Sequence, residues 1–457
     1  MRWANAAVLT VLMLSFGCSH LRDQSLDELI SARNFPEPTE RLPATTASSA
    51  TSGAAPKLGS VDLASLWQIA QEHNSILREA AAEVQEARGR AVQASKYPNP
   101  TFLYTGDALG DRASPSGAAS FLMTQEILTA GKGRLDMAVA ASNIEIASIT
   151  LSAKEFQVLT AIRRAYYEYL TSSETVRVQE ENLAAHENAV TLTRNLVKEG
   201  EKLPQADLLR AQSVLAQARI NQTRNQIAMT TAWKNLAARV GVPDLTMPRT
   251  VPDLPKTAPT WDEEAVLRRV LSVHSDLRSA TEAVEKARLE LERARAEAVP
   301  NVRVGAGYSR DSRFEGPHGS QGAIVAVETA FPLWDRRQGD ILAAQARWIQ
   351  AQAARQSTAI RLHRQTTEAI GRYLSARQQL ERITTEVIPG LEESLRLVRK
   401  RYEAGKAPEG FVDVTTAVET LNDAKLLRAE ARRSLWDAVT DLEGLMQIPV
   451  GEEQCSD

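Results

Sequence analysis

Apolar positions spaced three and four residues apart run from Lys132 to Gly200 with no proline between them. Read in heptad-like steps, the stripe takes in Ala141, Ile144, Ser148, Leu151, Glu155, Val158, Ile162, Ala165, Tyr169, Ser172, Val176, Gln179, Leu183, His186, Val190, Thr193 and Val197. Most are apolar or small, so the spacing predicts a single helix with one narrow seam facing a partner. At 1.5 Å per residue it would be roughly 100 Å long, where a globular helix averages about 11–12 residues. Such a helix belongs in an elongated bundle, and its length is a functional quantity.

The flanking patterns give the other elements. A helix is expected from Val61 to about Lys96, with Asp62 as N-cap and Tyr97-Pro98-Asn99-Pro100 as a hard stop. Thr101 to Thr105 and Ser120 to Leu128 read as two short strands, and Gly131-Lys132-Gly133 punctuates the entry to the long helix. That helix ends at Glu199 to Pro204, where Gly200 can take a left-handed conformation and Pro204 restarts a helix running to Val240.

The programme then repeats. Pro98-Asn99 recurs as Pro300-Asn301, Gly131-Lys132 as Asp335-Arg336, Gly200 as Gly405, Asp207 as Asp413 and Pro243 as Pro449. The shift stays between about 202 and 206 residues, which marks a duplication. Strands follow at Val302 to Tyr308 and Ala323 to Phe331, then a long helix from about Gly339 towards Ala404, interrupted at Pro389-Gly390, and a return helix from about Phe411 to Met446. Each half therefore reads as two shorter helices paired end to end against one long helix. The expected domain plan is residues 61–245 (strand hairpin 100–129) and 261–450 (strand hairpin 301–333), joined by a linker at 246–260 and ending in a tail at 451–457.

The N-terminus changes the compartment. Arg2 and the apolar run Ala6 to Leu14 read as a secretory signal ending at Cys18, with residues 19–60 a Pro/Ser/Thr-rich tether. Cys18 is either the acylated N-terminus of a lipoprotein or an unmodified residue beside an ordinary cleavage site. Cys18 and Cys455 are the two cysteines, too few for a disulfide framework. A net charge of −3 gives no bias towards nucleic acid. The six histidines have no i, i+3 or i+4 pairing, and no catalytic motif stands out, so neither a metal centre nor an enzyme is expected. No cofactor is implied.

In Val302 to Tyr308 apolar residues alternate with small or charged ones, as in a strand between lipid and water. Four strands cannot close a barrel, and open edges are not tolerated in lipid, so several chains would have to combine. A small soluble β-patch on a helical bundle is the other reading.

Arg401-Tyr402-Glu403-Ala404-Gly405-Lys406, Phe411-Val412-Asp413-Val414 and Phe331-Pro332-Leu333-Trp334-Asp335-Arg336-Arg337-Gln338-Gly339 carry a family resemblance. Over residues 61–450 the chain resembles the TolC-like outer-membrane efflux proteins, and within them the heavy-metal (cobalt-zinc-cadmium type) efflux branch. There the third stretch usually reads P-L-aromatic-D-R-N-Q-G, with Arg337 here replacing the asparagine. The resemblance implies a homotrimer with a twelve-stranded β-barrel in outer-membrane lipid and an α-helical tunnel across the periplasm. It also implies a periplasmic adaptor (membrane fusion) protein and an inner-membrane pump of the RND type as partners. On the same basis Tyr402, Asp413 and Asp207 are expected at a periplasmic gate, although Thr416 stands where a second aspartate is usual. Gly200, Lys202, Leu203, Pro204, Gly405, Lys406 and Pro408 are expected at the adaptor-docking tip. Both aspartates would also suit the first turn of any helix, through its dipole. A periplasmic structural or adaptor-like coiled-coil lipoprotein is the alternative function, and it has no use for four strands in duplicated hairpins.

Overall fold

A computed structural model describes residues 62–107, 117–198, 205–255, 257–311, 320–403 and 410–450. In chain order these form α1 (Leu63–His73), α2 (Ser75–Ala94), β1 (Thr101–Asp107), β2 (Ala118–Ile127), α3 (Lys132–Lys198) and α4 (Gln205–Val240). The second half gives α5 (Glu263–Val273), α6 (Ser275–Glu297), β3 (Val302–Asp311), β4 (Ser320–Thr329), α7 (Gln338–Arg382), α8 (Ile388–Glu403) and α9 (Gly410–Met446). The long helix α3 is continuous, and every residue of its heptad stripe is buried or half-buried. Among the described residues no helix is long and apolar enough to cross a membrane.

Where the sequence reads one opening helix per repeat, the structure has two. Asp62 and Asp262 cap α1 and α5 by accepting from the backbone N–H of Ser65 (3.0 Å) and Ala265 (2.9 Å). Both helices stop one residue before an extended break, at Asn74 (ψ 122°) and His274 (ψ 126°). Each break residue starts the next helix itself. Asn74 Oδ1 accepts from the Ile76 N–H at 2.9 Å, and His274 Nδ1 accepts from the Asp276 N–H at 3.1 Å. Periodicity is nearly continuous across such a break, so the pattern of apolar residues did not reveal it.

The breaks dock on the ends of the return helices. Gly241 ends α4 with φ +97°, and the Val242 N–H donates back to Ala237 O at 3.1 Å. A side chain at Gly241 would lie 3.0 Å from Asn74 Cα, so the contact needs glycine twice over. Asn74 Nδ2 completes it by donating to Arg239 O at 2.9 Å. The second repeat builds the same joint with other atoms. Gln447 ends α9 at φ +53°, and its Oε1 accepts from the Ser275 N–H (3.2 Å) and Oγ–H (3.0 Å).

Two compact units divide the chain, and some helices run through both. The larger hydrophobic core lies in the unit made of residues 47–82, 149–278 and 356–457. Ile162, Tyr169, Leu236, Val240, Val270, Leu362, Val439 and Leu442 are fully buried in it. The proline-rich segment between the repeats is part of this core. Leu245 and Leu254 are buried, Leu245 O accepts from the Trp233 indole at 2.9 Å, and Pro259 O accepts from the Tyr373 hydroxyl at 2.6 Å. Between α7 and α8 the chain widens into a π-turn, Ile383–Val387, where the Ile388 N–H reaches Ile383 O. Pro389 lacks an N–H and would strike the carbonyl four residues back, so the wider turn absorbs it without ending the rod.

Candidate functional site: a two-faced sheet and the helix ends

All four strands form one antiparallel sheet in the order β1-β2-β3-β4, so the seam between the repeats is the β2–β3 pair. The register sorts most side chains by face. Phe102, Tyr104, Phe121, Met123, Val304, Tyr308, Val325 and Val327 share one face and are exposed, Val325 at 82%. Thr101, Thr105, Ser120, Thr124, Gly305, Gly307, Ser309 and Gly322 share the other. There Thr101 bonds Thr124 (2.5 Å) and Thr105 bonds Ser120 (2.6 Å) through their hydroxyls. A Cβ at Gly307 would lie 2.2 Å from Phe121 O, so glycine is what lets β2 and β3 close up. One face is mainly oily and the other mainly small or polar, with Leu103, Leu122 and Ile324 as its large apolar members. A strand separating hydrocarbon from water has this division.

A polar lock at the foot of the seam was not foreseen as a site. Lys132, only 2% exposed, donates its Nζ to Val299 O and Asn301 Oδ1, both at 2.6 Å. Thr129 Oγ1 donates to Pro300 O at 2.8 Å, and Asn301 Nδ2 donates to Glu126 Oε1 at 2.7 Å. A buried ammonium is tolerated when such partners satisfy it. The recurrence of Pro-Asn in both repeats was the available signal.

At the other strand-to-helix junction, Arg337 sits at φ +58° one residue before α7, as Gly131 (φ +69°) does before α3. The structure thus matches Gly131 with Arg337, two places beyond the Asp335-Arg336 correspondence read from sequence. Asparagine tolerates this conformation far better than arginine, which accounts for the asparagine in the resembling motif. Asp335 Oδ1 accepts from the Arg337 N–H at 2.9 Å and holds the turn.

Of the expected gate residues, Asp207 lies in the first turn of α4, half-buried and 3.7 Å from Arg210 Nη1. Asp413 lies exposed in the first turn of α9. Tyr402 belongs to the last turn of α8, and its side chain lies outside the described residues. Gly200, Lys202, Leu203, Pro204, Gly405, Lys406, Pro408 and Cys18 also lie outside them.

Towards these helix ends the α3–α9 contact becomes polar. Glu174 accepts from Arg432 Nη1 at 2.8 Å, and Glu181 accepts from Lys425 at 3.0 Å. Burial lowers the pKa of His186, with the Glu419 charge opposing. In the same unit, a cleft of about 530 Å³ is lined by Arg164, Arg361, Arg372, His274, Asp276 and Asp441. Asp441 pairs with Arg164 and with Arg372 (2.9 Å), and Asp276 with Arg361 (2.9 Å), so each of these arginines has a carboxylate partner. Among the described residues there is no cluster of three metal-ligating side chains.

Residues 66–242 and 266–446 match the family model described as outer membrane efflux protein. The cobalt-zinc-cadmium resistance protein CzcC of Cupriavidus metallidurans is 22% identical over 85% of this chain and 90% of its own length. The outer membrane protein VceC of Vibrio cholerae has the same fold, with a TM-score of 0.68 at 20% identity over 84% of this chain and 95% of that one. So does the MtrE outer membrane channel of Neisseria gonorrhoeae, with a TM-score of 0.66 at 18% identity over 84% and 88%.

Proposed function

This chain belongs to the outer membrane efflux protein family and is an outer-membrane efflux duct; from that premise we propose how it is assembled, gated and supplied. The observation that carries the proposal is the two-faced sheet with its free outer edges. One face suits lipid and the other water, but β1 and β4 have no outer partner among the described residues. Hydrocarbon does not tolerate unpaired backbone, so the chain closes its barrel as a homotrimer of twelve strands.

The helices then form a periplasmic tunnel. It receives substrate from an adaptor at the tips Gly200–Pro204 and Gly405–Pro408, fed by an RND-type inner-membrane pump. Cys18 carries a lipid on the periplasmic side. Tyr402 closes the resting mouth, and the carboxylates of Asp413 and Asp207 focus a negative field there. The cargo is divalent metal cations, in line with the name of the relative CzcC. The chain performs no catalysis.

Planar-bilayer conductance of the purified protein tests this reading. Tyr402→Phe raises the resting conductance, and Asp413→Asn weakens block by multivalent cations while leaving resting closure intact. A protein that inserts and conducts but ignores both substitutions would remove the gate from these residues. One that never conducts would overturn the duct.

A further inference from the structure

The internal duplication fixes what the free sheet edges meet. Within one chain, β2 of the first repeat pairs with β3 of the second, above the lock of Lys132, Thr129, Glu126 and Asn301. A second copy can repeat that seam, with β4 in the place of β2 and the copy's β1 in the place of β3. The inference rests on the assembly of copies proposed above and adds the register and chemistry of their contact.

Matching Pro98-Asn99 to Pro300-Asn301 maps Phe102 onto Val304 and Tyr104 onto Ala306. Phe102 opposes Met123 in the first hairpin as Val304 opposes Val327 in the second, so Met123 maps onto Val327. Met123 opposes Ala306 across the internal seam. Val327 therefore opposes Tyr104 of the copy. Both lie on the exposed apolar face, whereas a shift of one residue would oppose Val327 to the polar face.

Continued past the strand, the same correspondence turns Glu126 into Ala330, Thr129 into Leu333 and Ala130 into Trp334. At this offset Lys132 becomes Arg336, whose Nε donates to Pro332 O at 3.3 Å, while the match of Gly131 with Arg337 at the helix start puts Gln338 there instead. Gln338, the first residue of α7, is already bonded through Nε2 to Trp334 O at 3.1 Å. Instead Phe331 and Trp334 stand 81% and 85% exposed beside a cleft of about 620 Å³. The element a copy would bring there begins with Tyr97-Pro98, and Tyr97 is itself 82% exposed.

We propose that this chain makes two chemically different seams: a hydrogen-bonded lock on Lys132 within each copy, and between copies a β4–β1 pairing with Val327 opposite Tyr104, footed on Trp334 and Leu333 against Tyr97-Pro98. Residues opposed in neighbouring antiparallel strands have Cα atoms about 4.5–5.5 Å apart, within disulfide reach. Inside one chain β1 and β4 are three strand spacings apart, about 14 Å, so a disulfide between them reports only on copies.

The test places Tyr104→Cys and Val327→Cys in one full-length chain with Cys455→Ser, compared with each single-cysteine chain to account for Cys18. Oxidation in detergent is expected to give at least tenfold more reducible multimers than either single variant. No gain over the singles, or a larger gain with Tyr104→Cys and Val325→Cys, overturns the register. For the foot, Trp334→Asp is expected to reduce multimers surviving SDS at least tenfold, and Trp334→Phe to retain them. If Trp334→Asp keeps its multimers but binds phosphatidylcholine vesicles more weakly, the aromatic foot meets lipid and the proposal fails there. Multimers and conductance without the cross-link overturn this inference alone. Absence of both in the unaltered chain overturns the duct reading as well.

Discussion

The seam of α3 and the apolar face of the sheet are both oily surfaces, but their outcomes in the single chain are opposite. Every stripe residue of α3 is covered or half-covered, while Val325 and Val327 stand bare. The helix finds its partners within its own sequence, because the duplication supplies return helices of matching pattern. Among the described residues the sheet has four strands, and its exposed face has no partner. One surface holds the chain together, and the other is made for surroundings outside it.

The largest expected effect attacks the covered surface. Ile162 is fully buried, so Ile162→Ala is expected to cost about 2–5 kcal/mol. Val325→Ala should stay within about 0.5 kcal/mol of the unaltered chain. Denaturant unfolding in detergent, followed by helical circular dichroism, checks both, and equal losses would break the contrast. Val325→Lys reverses the emphasis. Helical unfolding is expected to be unchanged, while transfer into bilayers becomes about 2–4 kcal/mol less favourable, measured by partition between vesicles and detergent. An unchanged partition would mean that this face never meets lipid.

Lys132→Met sharpens the comparison at the foot of the sheet. It leaves Asn301 Oδ1 and Val299 O without their shared donor, at an expected cost of about 1–3 kcal/mol in unfolding free energy, obtained from the denaturant midpoint and slope. Full stability would show that the lock is incidental.

The smallest effect concerns the helix breaks and depends on pH. Burial, with Arg361, holds the pKa of His274 below its usual 6.5, against the opposing charge of Asp276. Its Nδ1 also accepts the Asp276 N–H, which only the neutral ring can do. The unfolded chain therefore takes up the proton first. Stability is full above about pH 6.5 and declines as pH falls through the window beneath it. His274→Asn, which copies Asn74 of the first repeat, is expected to flatten that decline in thermal melts between pH 7 and pH 5. An equal decline in the variant would place its origin elsewhere.

The sequence was a good guide wherever one period ran unbroken. The long helix α3, the return helices and the alternation in β3 all follow from spacing, because a regular element repeats its own geometry and needs no distant partner to declare it. The helix breaks at Asn74 and His274 were not legible, since each is a one-residue event whose cause is a contact with a return helix far along the chain. The same holds for Lys132, which in sequence stood inside a glycine-rich punctuation. Its burial depends on Val299 and Asn301, brought to it by the pairing of β2 with β3.

By itself, then, the sequence determined the rods, the hairpins, their duplication and the family they resemble, because periodicity and repeats are properties of local order. Only the tertiary structure decided that the strands join across the repeats into one sheet with an oily and a polar face. It also decided that the inter-repeat segment is core and that Lys132 and Asn301 bind the seam. Those outcomes depend on which distant residues share a layer, and no single stretch of chain encodes that.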